Sequence, residues 1–166
     1  MDTPIKKKEM MMKAVNKIMV GIDFSDYSLP AVQYASDLAK DVSASLLLTN
    51  VLNQRDIDII NKVAPRVPDF SIKKYIDEYL VERKERLEDL VKKIDVGNLD
   101  VEVNVCVGVP YKALLKEIEE KKPDLLIMGT KGKSNLVDMI VGSCAQKMFR
   151  RCPIPLLSIR EPQSEK

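Results

Sequence analysis

Leu125-Leu126-Ile127-Met128-Gly129-Thr130-Lys131-Gly132, followed after nine intervening residues by Gly142-Ser143, is the stretch that decides how this chain is read. Four large apolar residues running into a glycine describe a strand buried on both faces that ends in a tight turn. Gly142-Ser143 then opens a segment of helical character, Gly142 to Arg151. Such a pattern puts bare backbone N–H groups at the carboxyl end of a strand and at the start of a helix, two places that suit a phosphate. The chain therefore reads as a nucleotide-binding protein.

Composition narrows the class. Apolar residues make up 45% of the 166 and charged residues 31%, the profile of a globular domain with a proper core. A net charge of +2 gives no electrostatic case for nucleic acid or a membrane as partner. No apolar run approaches the roughly 20 residues of a spanning helix. Lys6-Lys7-Lys8 and Met10-Met11-Met12 are too short for a secretion signal, so residues 1–15 read as an N-terminal extension and 161–166 as a tail around one domain, 16–160. The three cysteines, Cys106, Cys144 and Cys152, have no metal spacing, and reduced thiols in a cytoplasmic setting are expected. Histidine is absent, which removes Ser-His and Cys-His dyads and histidine metal ligands from consideration.

Working outward from Met128-Gly129, the chain alternates strands and helices. Lys17 to Asp23 and Ser45 to Val51 read as buried strands. Ala31, Tyr34, Ala35, Leu38 and Ala39 recur at helical spacing between them, with Ser25, Asp26 and Ser28 offered as caps. Residues 52–70 are ambiguous, with a short helix available over Asp56 to Val63 before Pro65 and Pro68. Ser71 to Lys93 is the longest helix, striped by Ile72, Ile76, Tyr79, Leu80, Leu87, Leu90, Val91 and Ile94. Asp100 to Val107 alternates with period two, Pro110 to Lys121 is helical, and Pro155 to Ile159 closes the chain as a last strand. This order predicts an α/β fold: an open, doubly wound, five-stranded parallel sheet of order 3-2-1-4-5 with helices on both faces.

In such a sheet, ligands bind beyond the carboxyl ends of the strands where the order reverses. Strands one and four are neighbours there, so Gly21-Ile22-Asp23 and Met128-Gly129 are expected to share one crevice. Gly129 and Gly132 permit a tight turn and close approach of a ligand to the backbone. Gly142 and Ser143 supply helix-start N–H groups and a hydroxyl, Lys131 and Lys133 offset phosphate charge, and Asp23 can accept from ribose hydroxyls or help hold a divalent ion. Each residue also has a local reading: Asp23 caps the turn into the first helix, Ser143 is an N-cap, and the lysines are solvated. Cys144, in the first turn of the last helix, is either a reactive thiol or a small packing residue, packing being the simpler account. Gly132-Lys133-Ser134 is no P-loop, because Ile127 stands where that loop needs its first glycine.

The segments Val20-Gly21-Ile22-Asp23-Phe24-Ser25 with Ser28, Gly108-Val109-Pro110, and Gly129-x2-Gly132-x9-Gly142-Ser143 resemble the universal stress protein family from about Lys17 to Arg160. The last is that family's G-x2-G-x9-G-[ST] pattern for ATP. The resemblance implies an adenine nucleotide alpha hydrolase-like fold and a homodimer, with pairing through the edge strand Pro155 to Ile159. It implies ATP, or AMP or another adenine nucleotide, with Mg2+ or Mn2+ held through the phosphates. Val51 would present backbone groups to adenine with Ile22 and Met128 nearby. Asp23 and Gly129 would hold ribose, and Lys131, Gly132, Gly142, Ser143 and Cys144 would line the phosphates. Two departures stand out: Asn50 replaces a histidine common before the valine, and Lys131 replaces histidine or arginine. The expected role is a nucleotide-dependent regulatory or stress-response factor, with a weak ATPase or adenine nucleotide hydrolase, or a nucleotide-free dimeric adaptor, as the alternatives. Any hydrolysis should be slow, because no histidine base is present and no water-positioning group is obvious beside Asp23.

Overall fold

The computed structural model of the chain describes residues 14–130 and 142–160. The elements run β1 (Lys17–Ile22), α1 (Ser28–Val42), β2 (Ser45–Asn53), α2 (Gln54–Val63) with a 3-10 turn at Ala64–Arg66, α3 (Ile72–Lys92), β3 (Val101–Gly108), α4 (Pro110–Lys121), β4 (Leu125–Gly129), α5 (Ser143–Arg151) and β5 (Leu156–Ile159). The five strands form one sheet of order β3-β2-β1-β4-β5, and every pairing is parallel. The strand order read from the alternation of elements is the order observed.

Side-chain alternation along the strands assigns the two faces. Ile18, Val20 and Ile22 of β1, Leu46 and Leu48 of β2 and Ile127 of β4 pack with Ala31, Val32, Ala35 and Ala39 of α1 and Leu87 of α3. Met19, Leu47, Leu126 and Met128 face the other way, against Leu114 and Ile118 of α4 and Ala145 and Met148 of α5. The central strands are thus covered on both sides, which is why they read as unbroken apolar runs rather than alternating ones.

Several boundaries differ from the sequence expectation, each for a local reason. β2 runs on to Asn53 because β3 continues to pair with it, Val51 with Cys106 and Asn53 with Gly108. α2 starts at Gln54, capped by Asn53, whose side chain accepts from Arg55 N. At α1 none of the expected caps acts as one: Tyr27 is the N-cap residue and makes no side-chain cap bond, while Ser28 is the first helical residue and is buried. Only the carboxyl-terminal part of the predicted α3 stripe reaches the core, with Leu87 and Ile94 buried and Leu90 and Val91 packed beside them. Ile72, Ile76, Tyr79 and Leu80 stay part-exposed, and the buried residue in that half of the helix is Arg83. β5 starts at Leu156 rather than Pro155, since the pairing with β4 begins there.

Candidate functional site

Sheet register sets the site. Gly21 of β1 pairs with Thr49 of β2 on one side and Met128 of β4 on the other, and Ile22 pairs with Asn50. β1 stops at Ile22, while β2 goes on through Val51, Leu52 and Asn53 with β3 as its partner. Beyond Asn50, therefore, the β1-facing edge of β2 has no strand against it, and a notch opens at the carboxyl end of the sheet. A crevice of about 450 Å³ occupies this position, within the range of small-molecule sites. Gly21, Thr49, Met128, Leu114 of α4 and Ala145 of α5 give it a mainly apolar floor, and Asp23, Asn53, Arg55 and Asp56 bring charge and polarity to its rim.

The start of α5 is brought to the same place by two hydrogen bonds. Gly142 N donates to Thr130 O at 2.8 Å, and Thr130 N donates to Ile159 O at 2.9 Å. The first bond ties together the two ends of the glycine-spaced segment. It also uses the Gly142 amide, one of the groups expected to be available to a phosphate. The first helical bond runs from Gln146 N to Gly142 O, so the amides of Ser143, Cys144 and Ala145 precede the ladder and have no acceptor within the helix, at the positive end of its dipole. Gly142, not Ser143, is the N-cap residue, which removes the capping account of the Ser143 hydroxyl.

Of the residues expected at the site, Ile22, Asp23, Val51, Met128, Gly129, Gly142, Ser143 and Cys144 all line this one crevice. Lys131 and Gly132, and Lys133 beside them, lie outside the described residues. Ile22 packs its side chain into the α1–α3 core and its carbonyl accepts from Asn50 Nδ2 at 2.7 Å. Asp23 does hold the turn into α1, as its local reading had it: its Oδ1 accepts from Ser25 N at 3.0 Å and from Ser28 Oγ at 3.3 Å. The turn carries Phe24 at φ 60°, a left-handed conformation costly for a bulky side chain and of the kind found where a chain is re-aimed at a rim. The Cys144 thiol is pushed up to about 11, first by burial and then by the negative charge of Asp23. These outweigh the helix N-terminus, and a packing residue rather than a reactive thiol results.

Asn50 and Arg83 are among the crevice residues that carried no expected role. Asn50 is buried between the tips of β1 and β2 and accepts from Arg83 Nη1 at 2.7 Å. Arg83 reaches it from α3, gives Nη2 to Tyr79 OH at 2.9 Å, and is 4% exposed. The apolar stripe read from the sequence leaves Arg83 out. The one available signal was the apolar gap between Leu80 and Leu87, into which Arg83 falls at helical spacing. A second concavity, at the amino end of the sheet between Asn16, Ser43, Ala44, Asn98, Leu99 and Asp100, is comparable in size but more open.

The fold and this crevice together define a parallel α/β domain with a ligand site at its topological switch point. The sequence model of the Universal stress protein family matches residues 14–160, and the chain belongs to that family. It is 30% identical over 152 residues to Universal stress protein MJ0531 of Methanocaldococcus jannaschii, covering 90% of this chain and 84% of that one. It is 31% identical to Universal stress protein Rv1636 of Mycobacterium tuberculosis, covering 89% and 98%. Among solved structures, the M. jannaschii protein MJ0577 superposes with a TM-score of 0.77 at 22% identity over 92% of this chain and all of that one, a likeness of fold. A universal stress protein in complex with cAMP superposes with a TM-score of 0.57 at 28% identity over 89% of this chain and 98% of the other.

Proposed function

We propose that this protein binds an adenine nucleotide in the crevice at the carboxyl end of β1, β2 and β4, and that nucleotide occupancy is what it reports to a partner. One observation carries the reading: two strand tips more than a hundred residues apart and the start of α5 converge on a single concavity, with helix-start amides that have no acceptor within the helix. The relative holding cAMP supports the chemical class. So does a universal stress protein of Archaeoglobus fulgidus in complex with dAMP, which superposes with a TM-score of 0.52 at 14% identity over 88% of this chain and 98% of that one.

In this reading adenine lies against Val51 and Met128, ribose against Asp23 and Gly129, and the phosphates run toward Ser143 and Cys144 and the segment holding Lys131 and Gly132. ATP is the proposed ligand, with AMP and the cyclic nucleotide as competitors for the adenosine half. No group of three His, Cys, Asp or Glu side chains is gathered among the described residues, so the divalent ion would arrive on the phosphates, with Asp23 the nearest acid. Hydrolysis would be slow, because histidine is absent and Asp23, the acid beside the expected ribose, has its Oδ1 engaged by Ser25 and Ser28. β5 forms one edge of the sheet, and pairing across a two-fold axis would cover it in a homodimer. A cytoplasmic setting is proposed with it; no described helix is long and apolar enough to cross a membrane.

The test is direct. Protein purified from cells and denatured should release an adenine nucleotide, and titration with ATP, AMP and cAMP, with and without magnesium, should rank them. No released nucleotide together with no heat on titration rejects the reading.

A further inference from the structure

Arg83 is a buried cation with no ion-pair partner among the described residues. Its guanidinium spends two donors on neutral acceptors, Asn50 Oδ1 and Tyr79 OH. Its Nε is buried and has no hydrogen-bond partner among the described residues. Asp23 and Asp56 line the same crevice, yet neither forms an ion pair with it. Its remaining company is aromatic: the Tyr79 ring centroid at 4.6 Å and that of Phe24 at 5.9 Å. Burying an uncompensated charge is expensive, and ring faces and neutral acceptors offset only part of that cost. A helix that needed only a brace for Asn50 would do as well with a neutral donor.

We propose that Arg83 is a binding residue of the crevice, and that its guanidinium makes the site prefer a phosphorylated adenosine over adenosine itself. The inference rests on the adenine-nucleotide reading and names the group that selects the anion. In the pose proposed above Asn50 neighbours the adenine end, so the guanidinium acts on the phosphate across the crevice as a charge and not by contact, in a partly dehydrated place where a cation acts strongly. The guanidinium is held by Asn50, and Asn50 by Ile22 O, so the charge stands at a fixed distance from the tips of β1 and β2. This also gives the replacement of histidine by asparagine before Val51 a physical sense: an amide can accept from arginine and donate to a carbonyl at once.

The test compares adenosine and AMP by calorimetry in the wild type, Arg83→Gln and Arg83→Lys. Glutamine can still donate to Asn50 but carries no charge; lysine keeps the charge and loses the fork. Arg83→Gln should shrink the AMP-to-adenosine affinity ratio roughly tenfold while adenosine affinity stays within about threefold, and Arg83→Lys should keep most of the ratio. An unchanged ratio in Arg83→Gln, or a parallel loss of both ligands, overturns the proposal and leaves Arg83 a brace. Should Arg83→Gln not fold, Asn50→Asp sets a carboxylate against the guanidinium, and the ratio should fall there too; an unchanged ratio overturns the proposal. If the wild type binds neither ligand, the adenine reading fails by itself. Thermal protection by inorganic pyrophosphate then decides: protection that vanishes in Arg83→Gln keeps the anion site, and protection that is absent or unaltered removes it.

Discussion

The two ends of the sheet are built from similar residues and finish their polar groups in opposite ways. At the amino end the chain closes on itself. Asp124 Oδ2 accepts from Asn16 N at 2.9 Å and Lys17 N at 3.1 Å, Ser45 N donates to Asn16 O at 2.9 Å, and Leu46 N donates to Asp100 O at 2.8 Å. At the carboxyl end several polar groups have no partner among the described residues. The amides at the start of α5 precede its ladder, and the buried side-chain atoms without a partner among the described residues are Ser25 Oγ, Thr49 Oγ1 and Arg83 Nε. Thr49 and Arg83 line the crevice, and Ser25 sits in the turn held by Asp23. Buried polar groups are normally paired, so their concentration at one end marks where the fold gives up stability for another purpose. Concavity alone would not separate the two ends; how the polar groups are finished does.

The sharpest way to break this contrast is to fill the carboxyl-end floor. A Cβ on Gly21 would sit 3.5 Å from Met128 Cβ and 3.8 Å from Leu114 Cδ1, in ordinary contact. The branches of Gly21→Leu would overfill that space, and nucleotide affinity should fall roughly a hundredfold by calorimetry. If binding persists, the ligand is elsewhere.

Asp23→Ala tests whether the rim acid serves the turn, the ligand or both. Affinity for AMP should fall roughly tenfold through loss of a charged acceptor for ribose, with a modest drop in thermal midpoint from the freed Ser25 amide. A fall in midpoint with unchanged affinity would leave Asp23 a turn residue alone.

Asp124→Ala is the mirror experiment at the other end. Two backbone amides lose their acceptor, so denaturant unfolding should show a loss of about 1 kcal/mol, and nucleotide affinity should not move. A change in affinity there would mean that the two ends are coupled.

The smallest expected effect concerns Cys144. Its folded pKa of about 11 lies above the ordinary 9.0, so the native state keeps a proton that the unfolded chain gives up. The contribution to stability is therefore complete below about pH 9 and is lost as pH rises from there toward 11. At pH 8 the thiol should react with iodoacetamide far more slowly than in the unfolded chain, followed by mass spectrometry of the Cys144 peptide. Reaction at the unfolded rate would restore the reactive-thiol reading.

Much of this was legible beforehand because parallel α/β chains are punctuated locally. Apolar runs such as Ile18 to Ile22 and Leu125 to Met128 announce strands buried on both faces, and glycines at their ends announce turns. The alternation of elements announced a parallel doubly wound sheet, and the order 3-2-1-4-5, one of those open to such a chain, puts Asp23 beside Gly129. The helix starts were harder. Ser25, Asp26 and Ser28 all have capping chemistry, but the Asp23 carboxylate draws in Ser25 N and Ser28 Oγ, and α1 begins without a side-chain cap. The first half of the longest stripe also misled: Ile72, Ile76 and Tyr79 have the right period and stay part-exposed, outside the core that Leu87 and Ile94 join.

Sequence by itself determined the class of fold, the family, and eight crevice residues, because strand burial, glycine turns and strand order depend on local pattern and a small set of permitted connections. Only the tertiary structure decided that the Gly142 amide is spent on Thr130, that β2 outlasts β1 and opens the notch, and that Arg83 belongs to the crevice rather than to water. The reason is physical: a charged side chain on a helix is named by its neighbours in space, and Arg83 meets Asn50 across 33 residues of chain.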